Sequence, residues 1–354
     1  MVRRETQAIF LLSRFTKFFE RVIELVANSD EVEYVSVVYW SNDHLPVVPE
    51  LDALNISLNR RSEFTDDGLS LSEGVDYLVY VPGWMDKGYL EWLKNSRKNY
   101  SVITCVGFDD QWHWNFRQIV GSVYFRLRWK NLIDYAWIAG SPQYLYARMF
   151  GFSNEEMIYN LLTSSYSKSV PSLAGKHRPK KVVFVGRLVK EKNLKMLLNC
   201  FDDLGSDKLE LHIIGDGELR EELEQRQLNR VVFHGFQSSS RLQKTLNTYD
   251  AFILPSVHEQ WSVSVHEAAL SGLLLLSSMH VGANSEFLIE GFNGFTFDPS
   301  SEKELTQLLV NLAEMSDEQL MAMKSNSLVL STRRNLLTTA ASFLSMKYKK
   351  SAIR

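Results

Sequence analysis

The sequence predicts an α/β fold in two halves, each built on a parallel sheet. Three observations predict it. Short apolar runs such as 101–106 (SVITCV) and 251–254 (AFIL) recur without polar alternation, the mark of strands buried on both faces. Loop signals and then helical spacing follow these runs, which is β-α-β order. A polar stretch containing Pro171, Gly175 and Pro179, 164–181 (SSYSKSVPSLAGKHRPKK), reads as a linker between the halves. The 354 residues leave room for two ordinary domains. We place the first domain at 1–165, the linker at 166–181, the second domain at 182–325 and a helical segment at 326–354.

The elements follow in order. Residues 8–13 form a strand, 18–27 an amphipathic helix and 34–40 the next strand. Buried strands are expected at 75–81, before Pro82-Gly83-Trp84, and at 101–106, before Gly107-Phe108-Asp109-Asp110. Residues 112–130 (WHWNFRQIVGSVYFRLRWK) mix aromatics with Arg117, Arg126, Arg128 and Lys130. Such a face can lie on a membrane surface or grip an anionic acceptor; its bland reading is a helix with one core side and one solvated side. A short strand at 137–139 leads to Gly140-Ser141-Pro142. In the second half, strands are expected at 182–185, 209–214, 231–235, 251–254 and 273–277. A charged helix starts at Glu218, another near Ser264 ending at Gly272, and helical pattern runs from Ser301 onward.

Composition excludes several classes. The chain is 45% hydrophobic and 23% charged with a net charge of −3, ordinary for a globular protein and no argument for nucleic acid. Cys105 and Cys200 are far apart and lack metal spacing, which suits a reduced, cytoplasmic protein. No segment is long and apolar enough to span a membrane, and the apolar run 8–12 is too short for a signal peptide. Gly215-Asp216-Gly217 imitates a dinucleotide fingerprint, but Arg220 stands where its third glycine belongs, which disfavours NAD. Glu259 between His258 and His266 does not make a zinc signature, because Ser262 occupies the second histidine position. No G-x-S-x-G is present.

The stretch 251–272 (AFILPSVHEQWSVSVHEAALSG) reads as strand, polar loop, helix. In an open parallel sheet, ligands sit outside the carboxyl ends of the strands. Glu259 lies in that loop and Glu267 in the helix that follows, whose N-terminus favours phosphate. Two carboxylates flanking an anion site suit a ligand with hydroxyls at both ends and phosphate between, the shape of a nucleotide sugar. Ser264 and Glu267 also fit an S-x-x-E capping box, which would account for Glu267 without a ligand.

Glu259 and Glu267, with seven residues between them, resemble the E-x7-E motif of group 1 (family 4) retaining glycosyltransferases. Gly186-Arg187-Leu188 with Lys192 resembles that family's G-R-L-x-x-x-K signature, and Gly215-Asp216-Gly217 and Asn293-Gly294-Phe295 echo further runs. The resemblance implies the GT-B fold, two facing Rossmann-like domains with a cleft between them. The first would be the acceptor side and the second the nucleotide-sugar donor domain, with 326–354 packing back on the first. It covers 181–311 by motif and the first half by layout. It implies a hexosyltransferase-type enzyme moving a sugar from a nucleoside diphosphate sugar to an acceptor hydroxyl, in polysaccharide or glycolipid synthesis. Arg187 and Lys192 would meet the donor diphosphate, Glu267 the ribose and Glu259 the sugar hydroxyls. Gly186, Gly215, Gly235, Phe236, Gln260, Trp261, Ser262 and Glu286 would line the donor, and no metal cofactor is implied. Asp109 and Asp110 match by position a polar loop beside the reacting sugar; a turn or helix cap is the equal alternative.

The first domain departs from the family. Glu20-Arg21-Val22 matches a helix signature, yet Lys17, Phe18 and Phe19 stand where a glycine pair normally precedes it, so no site residue is assigned there. The family's Gly-Phe-Gly after the first glutamate is here Gln260-Trp261-Ser262. Two other readings stay open: a non-transferring GT-B enzyme (epimerase or phosphorylase), or a catalytically silent nucleotide-sugar-binding scaffold, which the missing first-domain glycines allow. The partners implied are a nucleotide sugar and a glycan or lipid-linked acceptor. The 112–130 stretch adds peripheral contact at the inner face of the membrane.

Overall fold

The computed structural model describes residues 5–13, 15–39, 51, 54–63, 68–166, 168, 179–205 and 207–352. It divides into two compact units: Met1–Ser165 with Arg334–Arg354, and Tyr166–Arg333. Most of the linker expected at 166–181 lies outside the described residues.

The first unit is a seven-stranded sheet of β1 (Thr6–Leu12), β2 (Tyr34–Tyr39), β3 (Ile56–Arg60), β4 (Asp76–Val81), β5 (Ser101–Phe108), β6 (Tyr135–Ile138) and β7 (Met157–Ile158). Its order is β3-β2-β1-β4-β5-β6-β7 and all pairs are parallel. The central strands are buried nearly throughout because helices cover both faces. These helices are α1 (Lys17–Ala27), α2 (Lys87–Asn99), α3 (Phe116–Arg128) and α4 (Tyr144–Met149). Thr16, Asp86 and Asn115 start the first three by accepting a backbone N–H three residues on. Phe18 and Phe19 fill the start of α1: they pack edge to face, and the Phe19 ring lies 5.1 Å from that of Tyr80. Beside them Lys17 ion-pairs with the buried Glu20.

The second unit is a six-stranded parallel sheet of β8 (Lys180–Val185), β9 (Leu209–Ile214), β10 (Val231–Gly235), β11 (Ala251–Leu254), β12 (Leu274–Ser278) and β13 (Gly294–Phe297), in the order β10-β9-β8-β11-β12-β13. Around it lie α5 (Leu194–Leu204), α6 (Arg220–Glu224), α7 (Ser239–Thr245), α8 (Val263–Leu270), α9 (Asn284–Phe287), α10 (Glu302–Glu314) and α11 (Asp317–Ser331). The helix expected from Glu218 is thus only the short α6. Gly272, at φ +66°, ends α8 where expected. Ser301 and Ser316 cap α10 and α11.

After Arg333 the chain returns to the first unit as α12 (Leu336–Leu344) and α13 (Met346–Ala352). Helix α12 packs on α1, and Ala340, Phe343 and Met346 complete the core around Ala8 and Phe10. The Phe343 ring lies 4.7 Å from that of Phe10.

Candidate functional site

All six strands of the second sheet run the same way, so their carboxyl ends share one edge. The winding reverses between β8 and β11: β9 lies on one side of β8 and β11 on the other. Such a reversal leaves the two following loops diverging, and ligands bind in the gap. The loop after β8 carries Gly186, Arg187 and Lys192, and the loop after β11 carries Glu259.

Lys192 Nζ donates to the Glu259 carboxylate as an ion pair, with side chains only 15% and 20% exposed. Backbone bonds hold the pair. Lys192 ends a tight turn, and Asn193, at φ +54°, redirects the chain into α5 while its side chain donates to the Pro299 carbonyl at 2.8 Å. The Val257 N–H donates to the Glu191 carbonyl at 2.9 Å, tying the two loops together. Glu259 forms an isolated parallel bridge with Val281, its N–H donating to the His280 carbonyl and its carbonyl accepting from Gly282. Arg187, on the same edge, is exposed, and its guanidinium makes no ion pair with a described residue.

The glycines make this edge flat. A Cβ on Gly215, at φ +144°, would stand 1.8 Å from the Gly186 carbonyl oxygen, and one on Gly217 would stand 2.5 Å from that of Leu188. This close approach lets the Leu188 N–H reach the Asp216 carbonyl at 2.9 Å and the Gly215 N–H reach that of Gly235 at 2.9 Å. Gly235 itself turns at φ +70°, after which Phe236 stands 77% exposed. Gly217 belongs to this floor as much as Gly215 does, although the resemblance assigns only Gly215 to the donor.

Helix α8 supplies Glu267. The capping-box reading of Ser264 and Glu267 is corrected: the helix begins at Val263, Ser262 is its N-cap, and no side chain caps it. Ser264 is inside the first turn, and its hydroxyl pairs with that of Ser262 at 2.8 Å. Ser262 sits at φ +81°, a conformation that favours glycine. The glycine-like geometry therefore persists where the glycine does not. No described residue hydrogen-bonds the Glu267 carboxyl, and burial pushes its pKa to about 7. A buried carboxyl left without a donor is a candidate for ligand contact.

The remaining donor-side residues differ in what they offer. Trp261 is buried edge-on to Phe287, so its ring belongs to the core, and its carbonyl accepts from the Ala283 N–H. Gln260 is exposed, and Glu286 in α9 is half-buried. His266 is buried, stacked on Phe287 and bonded through Nε2 to the Ser331 carbonyl.

In the first unit the reversal lies between β1 and β4, so the loop after β5 is one strand removed from it. Asp110 is engaged in a local turn, its carboxylate accepting from the Gln111 N–H at 2.8 Å and from Gln118 Nε2 at 3.4 Å. Asp109 is exposed at the surface, and partial desolvation, with the Asp110 charge beside it, raises its carboxyl above the usual range. The cap of α3 is Asn115, so neither aspartate caps it.

Comparison with known proteins bears on the second unit first. Residues 167–328 match the family of glycosyl transferases group 1. An uncharacterized glycosyltransferase of Methanocaldococcus jannaschii is 31% identical over 128 residues, 34% of this chain and 33% of that protein. The chain thus matches about a third of that relative's length. Solved structures match end to end at lower identity. The lipopolysaccharide outer core galactosyltransferase WaaB in its apo form superposes with a TM-score of 0.69 at 18% identity, covering 98% of this chain and 99% of that one. Anabaena HepE in complex with UDP-glucose gives 0.68 at 17% identity, covering 98% and 99%. The chain has the GT-B fold, with two Rossmann-like domains.

Proposed function

We propose that this protein is a retaining, family 4-like glycosyltransferase. It moves a hexose from a nucleoside diphosphate sugar to an acceptor hydroxyl, in the synthesis of a surface polysaccharide or glycolipid. The observation that carries the reading is the Lys192–Glu259 ion pair at the reversal of the second sheet, over a floor of Gly186, Gly215 and Gly235. The bound UDP-glucose of HepE and the galactosyl transfer named for WaaB support the donor and acceptor classes.

The chemistry follows from the charges. The diphosphate occupies the flat edge, where Arg187 and Lys192 carry the positive charge that offsets its own, so the reading includes no metal ion. Lys192 turns from Glu259 towards phosphate, which leaves the Glu259 carboxylate to accept from sugar hydroxyls. Glu267 accepts from the ribose. As the bond from the anomeric carbon to the phosphate oxygen breaks, negative charge grows on that oxygen beside Arg187 and Lys192. The acceptor oxygen bonds the anomeric carbon from the same face, and its proton passes to the departing diphosphate. Retention then needs no covalent intermediate. Asp109, with its raised carboxyl, is the first-domain group proposed to contact the reacting sugar, and Asp110 orders its loop.

Thermal-shift measurement against UDP, GDP, ADP and their sugars tests the donor site, and release of free nucleoside diphosphate with candidate glycan acceptors tests transfer. Glu259→Ala should reduce release by at least about a hundredfold. Full release by that variant would refute the reading.

A further inference from the structure

A second concavity lies on the same unit as the donor edge, at the other end of its sheet. Strand β13 begins at Gly294, so the turn that feeds it, 291–293, stands at the amino ends of the strands, whereas Arg187, Lys192 and Glu259 follow the carboxyl ends. Helix α10 ends and α11 begins beside this turn, and the three enclose a groove of about 560 Å³, within the roughly 300–1,000 Å³ of small-ligand sites. The turn is pinned from several sides. Gly291, at φ +70°, donates its N–H to the Gly294 carbonyl at 2.9 Å. The buried Asn293 side chain accepts from the Ile289 N–H and donates to the Phe287 carbonyl, each at 2.8 Å. Asn326 of α11 donates to the Phe292 carbonyl at 2.8 Å. On this fixed backbone Phe292 is still 40% exposed, and it lines the groove.

The lining combines two chemistries. Its apolar part is Phe292 with the half-buried Phe295, Met315 and Met323. Its polar part is three amides and a carboxylate, each with hydrogen-bonding capacity left over. Asn311 Oδ1 accepts from Gln307 Nε2 at 3.0 Å, and Gln319 Oε1 accepts from the Ser316 N–H at 3.2 Å. Both amide NH2 groups are thereby left without a described partner. Asn326 gives its NH2 to Phe292, which leaves its Oδ1 as an acceptor. The Glu314 carboxylate forms no ion pair with a described residue. Among the described residues no Lys, Arg or His lines the groove, and Glu314 is the one ionisable group there.

We infer that this groove binds a neutral glycan. Charge and polarity rule against the other ligand classes. A nucleotide or phosphate would meet the Glu314 carboxylate and no counter-charge. A wholly apolar ligand would cover the amides without pairing them, which costs free energy. A basic amphipathic peptide would find apolar surface but a single carboxylate among three amides. A sugar ring matches both parts of the lining. Its C–H face lies against an aromatic face, which is electrically negative, and its hydroxyls both donate to Asn326 or Glu314 and accept from Asn311 or Gln319. The five residues of β12 put about 17 Å between the two ends of the sheet, so a glycan held here is not the sugar at the donor edge. The inference goes beyond the transferase reading and needs neither a donor nor a transfer step.

The test is binding of the full-length protein to an array of short neutral oligosaccharides of hexose and N-acetylhexosamine, followed by calorimetry on the strongest binder. At least one should bind with a Kd below about 1 mM. Phe292→Ala and Asn311→Ala, both at exposed positions, should melt like the parent. The first should weaken glycan binding at least about tenfold and the second about fivefold. Saturating UDP should leave glycan binding unchanged, because its proposed place is the opposite edge. If no nucleotide binds while the glycan does, the transferase reading falls and this inference stands. An array with no bound glycan would overturn it, as would binding unchanged in either variant or displacement of the glycan by UDP. So would a helical Lys/Leu peptide that binds the parent and not Phe292→Ala while no glycan binds.

Discussion

Changing Glu267 to Gln should stabilise the protein above neutral pH while weakening nucleotide binding. The Glu267 carboxyl moves from an ordinary value of 4.5 to about 7 because burial disfavours its charge. The folded state therefore holds this proton more tightly than the unfolded state does. Below about pH 4.5 both states are protonated, and the residue contributes no difference. Between 4.5 and 7 the unfolded chain ionises first, so stability falls as pH rises, and above 7 the full deficit is present. At about 1.4 kcal/mol per pH unit the deficit is at most about 3 kcal/mol, and partial exposure of the side chain makes about 1–3 kcal/mol the working range. Glutamine keeps the shape and carries no charge. Its variant should gain that amount at pH 8 and nothing at pH 4.5, a shift of several degrees in melting temperature. Urea unfolding at the two pH values measures it. An equal gain at both would show that the carboxyl is not destabilised by burial, and undiminished nucleotide binding by the variant would remove the proposed role at the ribose.

Three further outcomes are expected. Ser262→Gly should stabilise by about 0.5–1 kcal/mol, as relief of the φ +81° backbone outweighs the added freedom of the unfolded chain; thermal melting reads this, and a loss would contradict it. Gly215→Ala should cost more than about 2 kcal/mol and abolish nucleotide binding, because its methyl would meet the Gly186 carbonyl; a variant that still binds would show that the loops can part. Lys324, fully buried, donates to the Tyr249 carbonyl at 2.6 Å and faces Asp250 at 3.7 Å, so Lys324→Ala should cost about 3–5 kcal/mol in urea unfolding by stranding a buried carboxylate.

The strands that the sequence made legible are those buried on both faces, where an unbroken apolar run suffices. Strand β3 went unread because it is an edge strand: Ile56-Ser57-Leu58-Asn59-Arg60 is half-exposed and carries polar residues. Strand β7, at two residues, is too short to leave a pattern. Within the site, Glu259 and Lys192 stood out through their motifs, but their pairing across 67 positions is a product of topology, which no local spacing encodes. The spacing of Ser264 and Glu267 fitted a capping box, yet the backbone at Ser262 starts the helix two residues earlier. The role of Gly217 was hidden because the pattern sought was a ligand fingerprint, whereas the glycine admits a neighbouring carbonyl. The 112–130 stretch showed its basic and aromatic content in the sequence. That its outer side is the apolar one became visible only with Phe125 placed inside.

The return of α12 and α13 to the first unit has a consequence for synthesis on the ribosome. An early segment waits for a much later one, since Phe10 lacks its Phe343 neighbour until that residue has emerged. The second unit, contiguous from Tyr166 to Arg333, has no such delay. Maturation should therefore run against the order of translation, with the middle of the chain settling before its beginning, and a nascent fragment stopped at 333 should leave its amino-terminal portion sensitive to protease.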